Sequence, residues 1–102
     1  MGVYIIAQLD IHNREDYDKY AEGFMDIFPK YDCKILAVDE EPKIIEGEWP
    51  YTRTVLGWFS SSEEFMRMYN SQEYQEIAQY RFRGVRTNFV MLEEFDLSQI
   101  QT

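Results

Sequence analysis

In a chain with 19 acidic and only 10 basic side chains, the arginines set among apolar residues are the groups best suited to chemistry. Arg53 opens the run Thr54 to Phe59, shortly after Trp49. A guanidinium beside an aromatic wall can hold a carboxylate through two parallel hydrogen bonds. The competing expectation is an ion pair with Glu46 or Glu48 across a turn. Arg81 shares a helical face with Tyr74, Ile77 and Ala78, where an unpaired charge is costly. It therefore requires a partner, either a core carboxylate such as Asp16 or an anionic ligand. Tyr69 and Tyr74 flank a helix break at Asn70-Ser71. Hydroxyls there can orient a ligand at a cavity edge, or can belong to core aromatics with satisfied hydrogen bonds. Tyr17, Trp49, Arg53, Tyr69, Tyr74 and Arg81 form the expected ligand-binding set.

Other candidates are weaker. His12 is the one histidine and the one side chain that ordinarily titrates near neutrality. As a general base it needs Asp10 or Asp16 to orient it; otherwise it is an exposed loop residue. Glu46 and Glu48 share a strand face, where paired carboxylates can do acid-base work or can serve as solvated charges on an edge. The single cysteine, Cys33, reads as a small buried hydrophobe or a reactive thiol, and no intramolecular disulfide is possible. One His and one Cys are too few for the usual zinc sites, and the spacing of an EF-hand is missing. There is no Gly-rich phosphate loop, Ser nucleophile elbow or Cys-His pair. The expectation is no cofactor and no metal.

The formal net charge of −9 repels phosphate backbones, which argues against nucleic acid and anionic membranes. The run Val3 to Ala7 is too short for a signal peptide and no stretch reaches transmembrane length, so a cytoplasmic protein is expected. Hydrophobic residues make up 45% and aromatics 17%, enough for a core. One domain over residues 1–96 and a polar tail over 97–102 are expected.

The elements that must position these residues follow in order. Val3 to Leu9 reads as a strand with both faces apolar. Asn13 caps a helix whose stripe is Tyr17, Tyr20, Ala21, Phe24, Phe28 and Tyr31, ending near Pro29. Cys33 to Val38 is a second strand, and Lys43 to Glu48 a short edge extension with a bend at Gly47. Thr52 to Phe59 is a third strand. Ser61 and Glu64 make a capping box, Asn70 with Glu73 a second cap, and Gly84 the helix end. Asn88 to Phe95 is the last strand. The order β-α-β-β-α-β predicts an α+β, ferredoxin-like fold: a four-stranded antiparallel sheet with both helices on one face. Two helices cover one face only, yet three strands are apolar on both. A second copy of the chain is the simplest cover, giving a homodimer joined sheet to sheet.

With these elements placed, Ile45-Glu46-Gly47-Glu48-Trp49, Arg53, Phe59-Ser60, Tyr69-Asn70-Ser71 and Glu73-Tyr74, with the opening Tyr4 to Asp10 and then Tyr17 and Tyr20, resemble the domain of unknown function 1330 family (DUF1330) of the dimeric α+β barrel superfamily. The resemblance spans nearly the whole chain. It departs at Asp32-Cys33, where the family often has glycines, and at Asp39-Glu40-Glu41, where a basic residue and a glycine are common. It implies a dimer forming a barrel with its helices outside, and a small-molecule pocket between helices and sheet in each subunit. Relatives in the superfamily include cofactor-free monooxygenases, heme-handling proteins and isomerases of small acids, so the fold selects no chemistry. Three functional expectations result: a binder of a small, partly apolar organic acid; a cofactor-independent monooxygenase or isomerase with His12 or a tyrosine as base; and a structural dimer without a ligand.

Overall fold

The computed structural model describes residues 2–96 and Ser98; the rest of the tail expected over 97–102 lies outside the described residues. β-branched and aromatic residues build strand β1 over Val3–Ile11. Asn13 Oδ1 then accepts the backbone N–H of Asp16 at 3.1 Å and starts helix α1, Arg14–Ile27. Pro29 falls in a short 3-10 turn, Phe28–Lys30, that ends the helix. Strands β2, Cys33–Asp39, and β3, Arg53–Phe59, follow. Ser61 Oγ accepts from Glu64 N at 3.0 Å to start α2, Ser62–Tyr69. Helix α3, Gln72–Gly84, feeds directly into β4, Val85–Glu93. The sheet is antiparallel with order β2-β3-β1-β4, the ferredoxin-like arrangement.

Several local expectations need correction. The restart of the helical region is capped by Ser71, whose Oγ accepts from Tyr74 N at 3.2 Å and donates to Met68 O at 2.7 Å, closing α2 and opening α3. Asn70 is the C-cap of α2. Glu64 does not reach back to Ser61; it binds Asp32 N and Arg67. No strand forms over 43–48; this connection runs without ladder pairing, and Gly47 turns it with φ 84°. Gly84 does not adopt a left-handed backbone. Its requirement is closeness: a Cβ there would sit 2.8 Å from Asp16 Cβ, and its carbonyl accepts from His12 N and Asn13 N. This clasp sets the end of α3 on the start of α1 and lets β4 begin at Val85, opposite Ile11.

β1 alternates between buried and half-buried residues rather than being buried throughout. Val3, Ile5, Ala7 and Leu9 face the helices and join Tyr17, Tyr20, Phe65, Met68, Tyr74 and Ala78 in the core. The register fixes the opposite face. Ala37, Leu56, Ile6 and Val90 form one cross-strand row, and Lys34, Trp58, Tyr4 and Leu92 another. No helix among the described residues covers these rows, and Val90 and Leu92 are 50% and 48% exposed.

Candidate functional site: a hollow between sheet and helices

The helix-facing side of the sheet encloses a cavity of about 340 Å³. Its floor is made by short side chains. Ile5 and Ile35 flank Gly57 in one row, and Ala7 pairs with Val55 in the next. Gly57 therefore contributes space rather than unusual backbone angles, since a Cβ there meets only Lys34 O at 3.5 Å. The roof comes from Tyr17, Tyr20 and Phe24 on α1, Phe65 and Met68 on α2, and Tyr74 and Arg81 on α3. The mouth opens past exposed Glu22, Met25 and Val38, at the edge strand.

Arg81 is the polar centre of this apolar hollow. It is 3% exposed and has no carboxylate within ion-pair distance among the described residues. Its Nη2 donates to Tyr74 Oη at 3.5 Å, and its Nε is buried without a partner. Aromatic faces surround it, with the guanidinium carbon 4.7 Å from the Phe89 centroid, 5.0 Å from Phe82 and 5.4 Å from Tyr20. Burial works against its charge, but the Tyr74 and Tyr20 oxygens outweigh that and raise its pKa. Tyr20 and Tyr74 share a hydrogen bond of 2.8 Å between hydroxyls. One bond uses one of the two O–H groups, so the other remains free to donate. Burial and the neighbouring Tyr74 push the Tyr20 pKa well above its ordinary value, so its hydroxyl keeps its proton near neutrality. The cluster keeps a spare guanidinium N–H and a spare hydroxyl donor with no carboxylate among the described residues beside them, which is the chemistry of an anion site.

The cluster explains why one expectation fails. Asp16 is not the partner of Arg81; it lies 3.7 Å from Arg83 on the outer side of α3, because the Gly84 clasp brings that side of the helix end to Asp16. Arg53 does not pair with Glu46 or Glu48 either. Its Nη1 donates to Glu40 at 3.3 Å, its guanidinium stands 5.4 Å from the Tyr17 centroid, and its Nε is buried and unpartnered. Burial raises the Tyr17 pKa, with Arg53 opposing.

Of the expected set, Tyr17, Arg53, Tyr74 and Arg81 line the cavity together. Tyr69 packs behind them, stacked on Phe65 and tilted against Tyr74. Trp49 lies across the sheet: its Nε1 donates to Thr54 Oγ1 at 2.7 Å, and Thr54 pairs with Gln8 on the open face. His12 is exposed on the β1–α1 connection, 3.6 Å from Asp10, and does not line the cavity. Cys33 donates to Phe28 O at 3.3 Å, and burial pushes its thiol up to about 11. Tyr20 and Gly57 were missed. Their signals were a tyrosine one turn from Tyr17, whose hydroxyl must find a partner when buried, and a glycine inside a strand.

The family model for a domain of unknown function, DUF1330, matches residues 2–95. The chain belongs to the DUF1330 family. No curated protein sequence matches this DUF1330 chain. Among solved structures it is similar to RPA0582, a protein of unknown function from Rhodopseudomonas palustris, with a TM-score of 0.81, 13% identity, and coverage of 93% of this chain and 83% of that one. SnoaB, a cofactor-independent oxygenase from Streptomyces nogalater, superposes with a TM-score of 0.68 at 8% identity over 93% and 94% of the two chains. A dimeric ferredoxin-like protein of unknown function from Thermobifida fusca gives 0.64 at 11% identity over 92% of each. At these identities the likeness shows the fold alone. No helix among the described residues is long and apolar enough to cross a membrane.

Proposed function

We propose that this DUF1330 protein binds a small, partly apolar organic acid in the hollow between sheet and helices, and does so as a homodimer joined through the open sheet faces. The observation that carries the ligand reading is Arg81, a buried cation with a spare N–H beside a spare tyrosine O–H and no carboxylate. Desolvating such a cation costs roughly several kcal/mol, and the aromatic faces around it return only about 0.5–2 kcal/mol each. A folded protein retains that expense most readily where a ligand anion completes the site. The apolar lining supplies the rest of the affinity, about 25 cal/mol per Å² of ligand surface removed from water. The Thermobifida neighbour, named as dimeric, and the uncovered apolar rows support the homodimer.

The test is Arg81→Met, which keeps the volume and removes the charge. The variant should melt at or above the wild-type temperature in the absence of ligand, while the thermal shift that small aromatic or aliphatic acids give the wild type disappears. A strongly destabilised Arg81→Met protein, together with a wild type indifferent to a diverse set of acids, would favour a purely structural dimer.

A second reading is an enzyme in the same hollow, of the cofactor-independent kind named for SnoaB. The Tyr20–Tyr74 pair favours it in one form: protonated hydroxyls beside a guanidinium stabilise an anionic oxygen that develops during reaction. His12, exposed and off the cavity lining, is badly placed to act as the base. Turnover of a bound acid that survives His12→Ala but falls about a hundredfold in Tyr20→Phe/Tyr74→Phe would support this form; dependence on His12 would refute it.

A further inference from the structure

Arg53 narrows the ligand beyond a simple acid, and this step rests on the binding reading above. Arg53 and Arg81 line the same hollow, and each keeps a buried Nε with no hydrogen-bond partner. Among the described residues Arg81 has no counter-charge, whereas Arg53 has a shared one. Glu40 Oε2 meets Arg53 Nη1 at 3.3 Å but lies closer to Arg14 Nη1, at 2.8 Å. Arg14 holds Glu40 below the usual carboxylate range, with a smaller contribution from Arg53. The two cations sit against neighbouring rings of helix α1, in the roof of the hollow. Tyr17 and Tyr20 each carry one guanidinium at 5.4 Å, and their ring centroids stand 6.0 Å apart. Between them the lining is apolar, with Leu9, Ala7 and Val55 below. A monoacid held at Arg81 leaves the Arg53 Nε–H unanswered. A molecule with a carboxylate at each end satisfies both and displaces Glu40 onto Arg14 alone.

We propose that the ligand is a dicarboxylic acid with a short apolar or aromatic body, one carboxylate on Arg81 and the Tyr20–Tyr74 pair, the other on Arg53 at the cavity edge. The one acidic side chain in the lining, Glu22, sits exposed at the mouth. It leaves both arginine ends clear.

The experiment is titration calorimetry with matched probes, benzoate against terephthalate and hexanoate against adipate, on wild type, Arg53→Gln and Arg81→Gln. At least one diacid should bind about tenfold or more tightly than its monoacid, the worth of one charge-assisted contact. Arg53→Gln should erase that preference, bringing each diacid to within about threefold of its monoacid in the same variant. Arg81→Gln should weaken both. Monoacids that bind through Arg81 while diacids gain nothing, or a diacid preference untouched by Arg53→Gln, would overturn the two-headed ligand and leave the binding site standing. An absence of binding by all four probes in every protein would overturn both.

Discussion

The two faces of the sheet are built from alternating residues of the same strands, yet they do opposite things. On the helix side the floor is short, with Ala7 and Gly57 at its centre, so the helices span a hollow rather than closing on the sheet. On the open side the positions between them carry Tyr4, Ile6, Leu56, Trp58, Val90 and Leu92, large and flush. That face ends in a polar row of Asp39, Thr54, Gln8 and Asn88, over which Trp49 and Tyr51 pack. A hollow lined with spare donors suits a small anion, while a flat apolar face suits a second protein surface. Strand alternation thus lets one sheet of four strands present both surfaces without sharing a side chain.

The comparison breaks most visibly at Val90. It is half exposed in the single chain, so Val90→Asp should change the isolated fold by no more than about 0.5 kcal/mol. Facing a partner's apolar sheet, the same carboxylate costs several-fold more, roughly 2–5 kcal/mol. Sedimentation at micromolar concentration should show a dimer for wild type and a monomer for Val90→Asp. A wild-type monomer, or a dimer indifferent to the change, would show that the open face is not the interface.

Gly57 sharpens the other side with a smaller effect. A Cβ there meets only ordinary contact, and valine suits a strand better than glycine, so Gly57→Val should leave the melting temperature equal or raised. Filling the floor should weaken binding of any acid accepted by the wild type by about tenfold, roughly 1.4 kcal/mol, without altering the dimer. Unchanged binding in calorimetry would place the ligand elsewhere. The smallest effect lies at Cys33, on the edge strand. Its thiol is raised from 9.0 to about 11 in the folded protein, so the folded state holds the proton more firmly than the unfolded chain. Its contribution to stability is intact below pH 9 and is lost as pH rises through about 11. Alkylation of the native protein should be slow at pH 8 and accelerate only toward pH 11. Rapid labelling at pH 8 would mean that this edge opens.

Much of this was legible in the residues. Asn13 and Ser61 announced their helices because a side-chain oxygen before an apolar run has a backbone N–H to satisfy. The surplus of apolar strand residues announced an uncovered face. Arg81 was legible as a charge on an inward helical face because helical period depends on spacing alone. What it meets there was not legible. Asp16 and Arg83 come together because Gly84 lets α3 clasp the start of α1, and no local pattern encodes which side of a helix end a clasp presents. Trp49 stands near Arg53 in sequence but on the other face, since adjacent residues Arg53 and Thr54 point oppositely and Trp49 follows Thr54.

By itself the sequence determined the four main strands, the helices, the caps at Asn13 and Ser61, and the demand that a buried Arg81 find a partner, because propensity, capping and burial costs act over a turn or a strand at a time. Only the tertiary structure decided that Arg81 finds Tyr74 and aromatic rings instead of a carboxylate, that Tyr20 joins it, and that Gly57 opens space between them. Those are meetings of side chains far apart in the chain, set by the register of β1 with β3 and β4 and by the seating of two helices over it. A one-residue change in that register would exchange the two faces of the sheet.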